Sequence, residues 1–119
     1  MNTNINCNHY YSIVLTINPN STDARGKTPE YIGSVILKWA KKMKLKNITN
    51  GPYYDIGETK NHHVNLTIIC DKKYSIDEIR DFYFKSWINR KGKVLIQYLE
   101  TDLDLIKWNI YAKRNDNKN

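Results

Sequence analysis

Residues 63–70 read HVNLTIIC and separate by parity: Val64, Leu66, Ile68 and Cys70 fall on one side, His63, Asn65, Thr67 and Ile69 on the other. Successive side chains of a strand point to opposite faces, so this run predicts a strand with one apolar face and one largely polar face. Such a strand belongs in a sheet that helices cover on one side. The rest of the chain must supply both.

It does so in a definite order. Tyr11, Ile13, Leu15 and Ile17 share one face of a first strand that stops at Asn18-Pro19. Thr28 followed by Pro29 and Glu30 reads as a helix start, and Ile32, Val35, Ile36, Trp39 and Met43 follow at helical spacing. Residues 53–58 and 63–70 suit a hairpin joined by a polar turn. Ser75 and Glu78 have the spacing of a capping box, ahead of a buried stripe of Ile76, Ile79, Tyr83 and Trp87 that ends at Gly92. Residues 94–99 read as a fourth strand, and Thr101 with Asp104 as the start of a short terminal helix. The order β-α-β-β-α-β plus a helix predicts an α+β, ferredoxin-like fold: a four-stranded antiparallel sheet with two helices on one face.

A chain of 119 residues fits a single domain, 1–119, whose last residues, 115–119, form a polar tail expected to fray. The net charge is +7, and Lys38, Lys41, Lys42, Lys44 and Lys46 crowd into one short stretch. That density suits a polyanionic partner such as DNA, or equally a solvated helix face. Cys7 and Cys70 have no ligand spacing, and no apolar run reaches membrane-spanning length or resembles a secretion signal. A soluble, reducing, cytoplasmic setting is the expectation.

With the apolar side of the third strand under helices, function is sought on the side of His63, Asn65 and Thr67. Alternate residues of one strand stand roughly 7 Å apart, close enough for His63 and Asn65 to converge on one ion, with Glu58 from the neighbouring strand as a third ligand. An imidazole, an amide oxygen and a carboxylate suit Mg²⁺ or Mn²⁺. Read alone, His63 is better taken as a hydrogen-bonded surface histidine; the spacing with Asn65 and Glu58 brings the ligand reading level with it. On the terminal helix Tyr111 follows Lys107 by one turn, and a tyrosine oxygen beside a divalent ion can attack phosphorus while Lys107 and Lys113 neutralise developing charge. Tyr111 is otherwise an ordinary packing residue of an amphipathic helix.

These residues resemble the HUH-type replication initiators, above all the compact Rep proteins of archaeal rod-shaped viruses. The resemblance spans almost the whole chain: the element order, HVNL at residues 63–66 in place of the alternating histidine motif, and Tyr111 followed by Lys113 in the last helix. Asn65 stands where that pattern has its second histidine. The resemblance implies a divalent cation held by His63, Asn65 and an acidic residue, with Tyr111 nicking single-stranded DNA at a replication origin or genome terminus. It also implies a homodimer, because one nucleophile per chain transfers one strand.

Two other classes compete. One is a non-catalytic single-stranded nucleic-acid-binding domain on the same fold, stacking bases on Tyr10, Tyr53 and Tyr98. The other is a small viral protein that inhibits a host factor through its basic surface. Neither predicts a covalent DNA adduct.

Overall fold

Tyr11, Ile13, Leu15 and Ile17 are all buried, as the alternation requires, on strand β1 (His9–Ile17) of the computed structural model, which describes residues 8–42, 47–56 and 62–116. The chain continues through α1 (Pro29–Lys42), β2 (Ile48–Ile56), β3 (His62–Cys70), a helical stretch in three parts, β4 (Gly92–Leu99) and α4 (Asp102–Arg114). Those three parts are α2 (Ile76–Ile79), a π-helical turn (Arg80–Phe84) and α3 (Lys85–Arg90). The strands lie in the order β2-β3-β1-β4, every neighbouring pair antiparallel. This is the ferredoxin-like arrangement expected from the element order.

The helix starts follow the sequence closely. The Thr28 hydroxyl accepts from the Tyr31 amide at 3.2 Å, and Pro29 opens α1. Ser75 and Glu78 form the reciprocal box: the Ser75 hydroxyl accepts from the Glu78 amide, and the Glu78 carboxylate from the Ser75 amide. Thr101 caps α4 by accepting from the Asp104 amide at 3.0 Å. Each cap satisfies an amide that the helix itself leaves unpaired.

One side of the sheet carries the core. Val64, Leu66, Ile68 and Cys70 are buried there with the β1 residues, under Ile32 and Ile36 of α1 and under Ile79, Phe84 and Trp87 of the second helical stretch. Val35 and Trp39 pack at its margin; Met43 lies outside the described residues. Trp39 and Trp87 meet edge-on at 6.2 Å, joining the two helices above the sheet. The stripe Ile76, Ile79, Tyr83, Trp87 needs one correction, because Phe84 is fully buried while Tyr83 and Ile76 are only partly covered. The π-helical turn inserts an extra residue into the helical phase, which rotates Phe84 inward.

Two strand boundaries also differ. β2 begins at Ile48, five residues before the sequence indicated, and runs through the breaker Asn50-Gly51-Pro52. It does so by bulging: its register with β3 shifts between Ile48 and Asn50 and again between Asn50 and Tyr53. Gly51 sits at φ +92°, and a Cβ there would lie 2.8 Å from the Asn65 carbonyl oxygen, so only glycine lets β2 pass that close. β4 starts at Gly92 itself, where a Cβ would lie 1.8 Å from the Thr16 carbonyl oxygen. No helix among the described residues is long and apolar enough to cross a membrane.

Candidate active site

On the sheet face opposite the core, α4 is the covering element. It starts near Gln97 and Leu99, where Asp104, Lys107 and Trp108 wall a small groove with Ser12. It ends at the edge strand, where the Asp116 carboxylate accepts from the Tyr54 amide at 3.1 Å. Between these ends the Thr67 hydroxyl donates to Asn109 Oδ1 at 2.8 Å, and Trp108 Nε1 donates to the Leu66 carbonyl at 3.3 Å. Ala112, one turn from Trp108, is buried. The helix therefore crosses the polar face diagonally, with Leu105, Trp108, Asn109 and Ala112 turned to the sheet and its other side to solvent.

This coverage changes the character of the face. Asn65 is 1% exposed and Thr67 is fully buried, whereas His63 stays partly open. His63 does not stand alone. It pairs across strands with Asp55, and its Nε2 lies 3.0 Å from the Asp55 carboxylate, both side chains being about six-sevenths buried. Asn65, one strand step further along, keeps Nδ2 buried without a hydrogen-bond acceptor. Rotating the amide by 180° presents Oδ1 to the same space. An unpaired buried amide costs ~1–3 kcal/mol, so a ligand completing it stabilises both partners.

Sequence reasoning missed Asp55. The signal was the hairpin register: Ile56 pairs with His62 and Asp55 with His63, which puts Asp55 and His63 on the same face. Glu58, the acid expected as third ligand, lies outside the described residues. Among the described residues no three His, Cys, Asp or Glu side chains form a metal-binding group. The polar side chains that share this face are mixed: the His63 imidazole paired with the Asp55 carboxylate, and the Asn65 amide two residues along β3. One nitrogen with two oxygens is hard enough for Mg²⁺ or Mn²⁺ and ill suited to structural zinc, so these residues fit the cation expected from the sequence.

His62 takes the other face, as adjacent strand residues must. It stacks on the Tyr54 ring with 5.8 Å between centroids, and its Nδ1 meets the Tyr54 hydroxyl, which donates to the Pro29 carbonyl at 3.2 Å. Burial pushes the His62 imidazole below its ordinary pKa, and the charge of neighbouring His63 adds to the effect. Burial likewise raises the Tyr54 phenol, to about 12.

Tyr111 is 45% exposed on α4 and stacks on Trp108 at 5.8 Å. It rides on the helix that crosses the His63 face, in the stretch leading towards Tyr54 and Asp55. Lys107, four residues earlier, shares its flank; Lys113, two residues later, projects some 200° around the helix. Lys38, Lys41 and Lys42 are exposed on α1, which packs on the core side of the sheet. They and His63 thus occupy opposite layers, while Lys44 and Lys46 lie outside the described residues. Of the three tyrosines considered for base stacking, Tyr98 turns into the core side, edge-on to Tyr11 at 5.2 Å and hydrogen-bonded to His9. Tyr10 and Tyr53 share the parity of the polar face, but the Tyr53 hydroxyl is tied back to Asn50 at 2.7 Å. Three bases cannot stack on one platform in that arrangement.

No family model, curated protein or solved structure matches this chain.

Proposed function

We propose that the protein is a metal-dependent enzyme that nicks and rejoins single-stranded DNA through a tyrosine ester, and thereby initiates replication at an origin or genome terminus. The observation that carries this reading is on the α4-covered face: His63 is held by Asp55 at 3.0 Å, and Asn65, two residues along β3, buries an amide with no acceptor for its Nδ2. A buried amide without an acceptor carries a desolvation cost that a ligand on this face would relieve.

Asp55, His63 and Asn65 are the residues that would hold the divalent ion, Mg²⁺ or Mn²⁺. When bound, it would supply Lewis-acid polarisation of a non-bridging oxygen of the scissile phosphate. Tyr111 supplies the nucleophile. Its phenolic oxygen bonds to phosphorus, the bond from phosphorus to the 3′ oxygen breaks, and the released 3′ end takes the proton that Tyr111 gives up. The 5′ phosphate stays on Tyr111 as an ester. Joining reverses each step, with an incoming 3′ hydroxyl displacing the tyrosine. Lys107, on the Tyr111 flank, neutralises charge that builds on the phosphoryl oxygens.

A homodimer completes the reading, since each chain offers one such tyrosine. The solvent side of α4 supports it: Leu103, Ile106 and Ile110 are exposed and recur on one face of the helix. A second copy packed antiparallel on that face brings the acidic first turn, Asp102 and Asp104, of each α4 against the basic last turn, Lys113 and Arg114, of the other.

The test is a denaturing gel of the protein incubated with a diverse pool of labelled single-stranded DNA and Mn²⁺. A covalent protein–DNA adduct in the wild type that disappears in Tyr111→Phe and in His63→Ala is the expected result. DNA binding with no adduct would replace the enzyme by a binding domain, and an adduct surviving in Tyr111→Phe would move the nucleophile elsewhere.

A further inference from the structure

The four strands are in register at the level of His63. Asp55 lies opposite His63, His63 opposite Thr16, and Thr16 opposite Lys93, all with the parity of the α4-covered face. Neighbouring strands are ~4.8 Å apart, so Lys93 stands two strands and roughly 10 Å from His63. The row thus has a metal-ligand chemistry towards one end and an ammonium at the other.

At the Lys93 end the sheet opens into a groove of about 410 Å³ between the end of β1 and the turn from α3 into β4. Its size falls in the range that holds one small-molecule-sized group. Its walls are of three kinds: Pro19 and Ile88 are apolar, Asn18 and Asn89 carry amides, and Lys93 carries a charge. Asn18 is oriented by its own turn, since Oδ1 accepts from the Asn20 amide at 2.9 Å. Lys91 also reaches the groove, but its ammonium is paired with Asp23 and sits 4.6 Å above the Trp39 ring. Lys93 and Asn89 are exposed. The closeness of Gly92 to the Thr16 carbonyl keeps β4 hard against β1 here, which fixes the floor of the groove.

We propose that this groove is a nucleotide subsite that continues the His63 site. An apolar wall beside amides and a cation matches a nucleotide: the base lies against Pro19 and Ile88, the Asn89 amide meets its polar edge, and Lys93 takes the phosphate. At 3.4 Å or more of rise per nucleotide, the ~10 Å from His63 to Lys93 spans two or three nucleotides of a single strand. The strand therefore runs along the row across β3, β1 and β4 and turns over the end of the sheet, where α3 supplies Ile88 and Asn89. The proposal rests on the DNA-nicking reading, and its test separates the two.

Fluorescence anisotropy of a labelled single-stranded 15-mer is followed as salt rises from about 50 mM, for wild type, Lys93→Gln, Asn89→Asp and Lys72→Gln, Lys72 being exposed beyond the opposite end of the sheet. One lost phosphate contact weakens binding roughly three- to tenfold at low salt and lowers the log–log salt slope by about 0.7. That is the result expected for Lys93→Gln. Asn89→Asp, which puts a negative charge in the groove, is expected to weaken binding at least as much, while Lys72→Gln keeps the wild-type slope. If wild type binds and both groove variants match it in affinity and slope, the subsite is overturned and the DNA reading stands. If wild type does not bind the 15-mer at all, the DNA reading fails and takes the subsite with it.

Discussion

Asp55 and Asn65 show how much a single position decides in this fold. Asp55→Asn keeps the shape and removes the charge that orients His63. On the proposed mechanism it is expected to cut adduct formation by 10- to 100-fold, the usual cost of losing a ligand or its support, with wild-type melting behaviour as the control. Asn65→Leu fills the same volume without a polar atom. It is expected to hold or raise stability in urea, because the unpaired Nδ2 is removed, while abolishing the adduct; a clear loss of stability would show that the amide is structural. A third residue-scale case lies in the core. The Tyr11 hydroxyl donates to the Tyr74 carbonyl at 2.8 Å and accepts from the Tyr74 amide at 2.7 Å, and burial raises its pKa. Tyr11→Phe leaves that carbonyl and amide without their partner and is expected to cost about 1–3 kcal/mol in equilibrium urea unfolding.

At the scale of elements, α4 is the part on which the proposed function turns. It has a polar cap, a sheet-facing side anchored by Asn109 and Trp108, and an apolar outer side that the monomer leaves in water. Ile106→Asp charges the centre of that outer side without touching the sheet. It is expected to convert a dimer to a monomer in sedimentation velocity while the melting temperature of the monomeric fold stays within a few degrees; an unchanged mass would rule this face out as the contact. The bulged strand β2 illustrates the opposite relation between sequence and element. Asn50-Gly51-Pro52 reads as a break, yet the strand continues through it because β3 offers hydrogen-bond partners on both sides of the irregularity.

For the whole molecule, charge and protonation set the conditions under which it works. His62 has a lowered pKa in the folded protein, so between that value and the ordinary 6.5 the unfolded chain binds more protons. Stability that His62 contributes is present above pH 6.5 and lost as pH falls through the folded-state value. Chemical denaturation at pH 7.5 and pH 5 is expected to show lower stability at the acid end, and a smaller difference in His62→Gln. The two cationic regions divide between layers: the α1 lysines lie outside the core helices, whereas Lys93 and Lys107 border the face with His63. A net charge of +7 therefore does not define one surface, and the proposed chemistry uses the cations on the sheet face.

Element order, helix caps and the two faces of each central strand were legible from the residues alone. These follow from local rules: Ser75 and Glu78 meet across one helical turn, and side chains at Val64 and Asn65 diverge whatever surrounds them. Which acid meets His63 became visible only in the folded chain, because a cross-strand partner depends on hairpin register, and Asp55 is eight residues away along the chain. Only the tertiary structure buried Asn65 and Thr67, since a polar strand face is silent about whether a helix from the far end of the chain will cover it. The same holds for the groove beside Lys93, where segments some seventy residues apart along the chain are brought together by strand pairing, a long-range contact that no local pattern encodes.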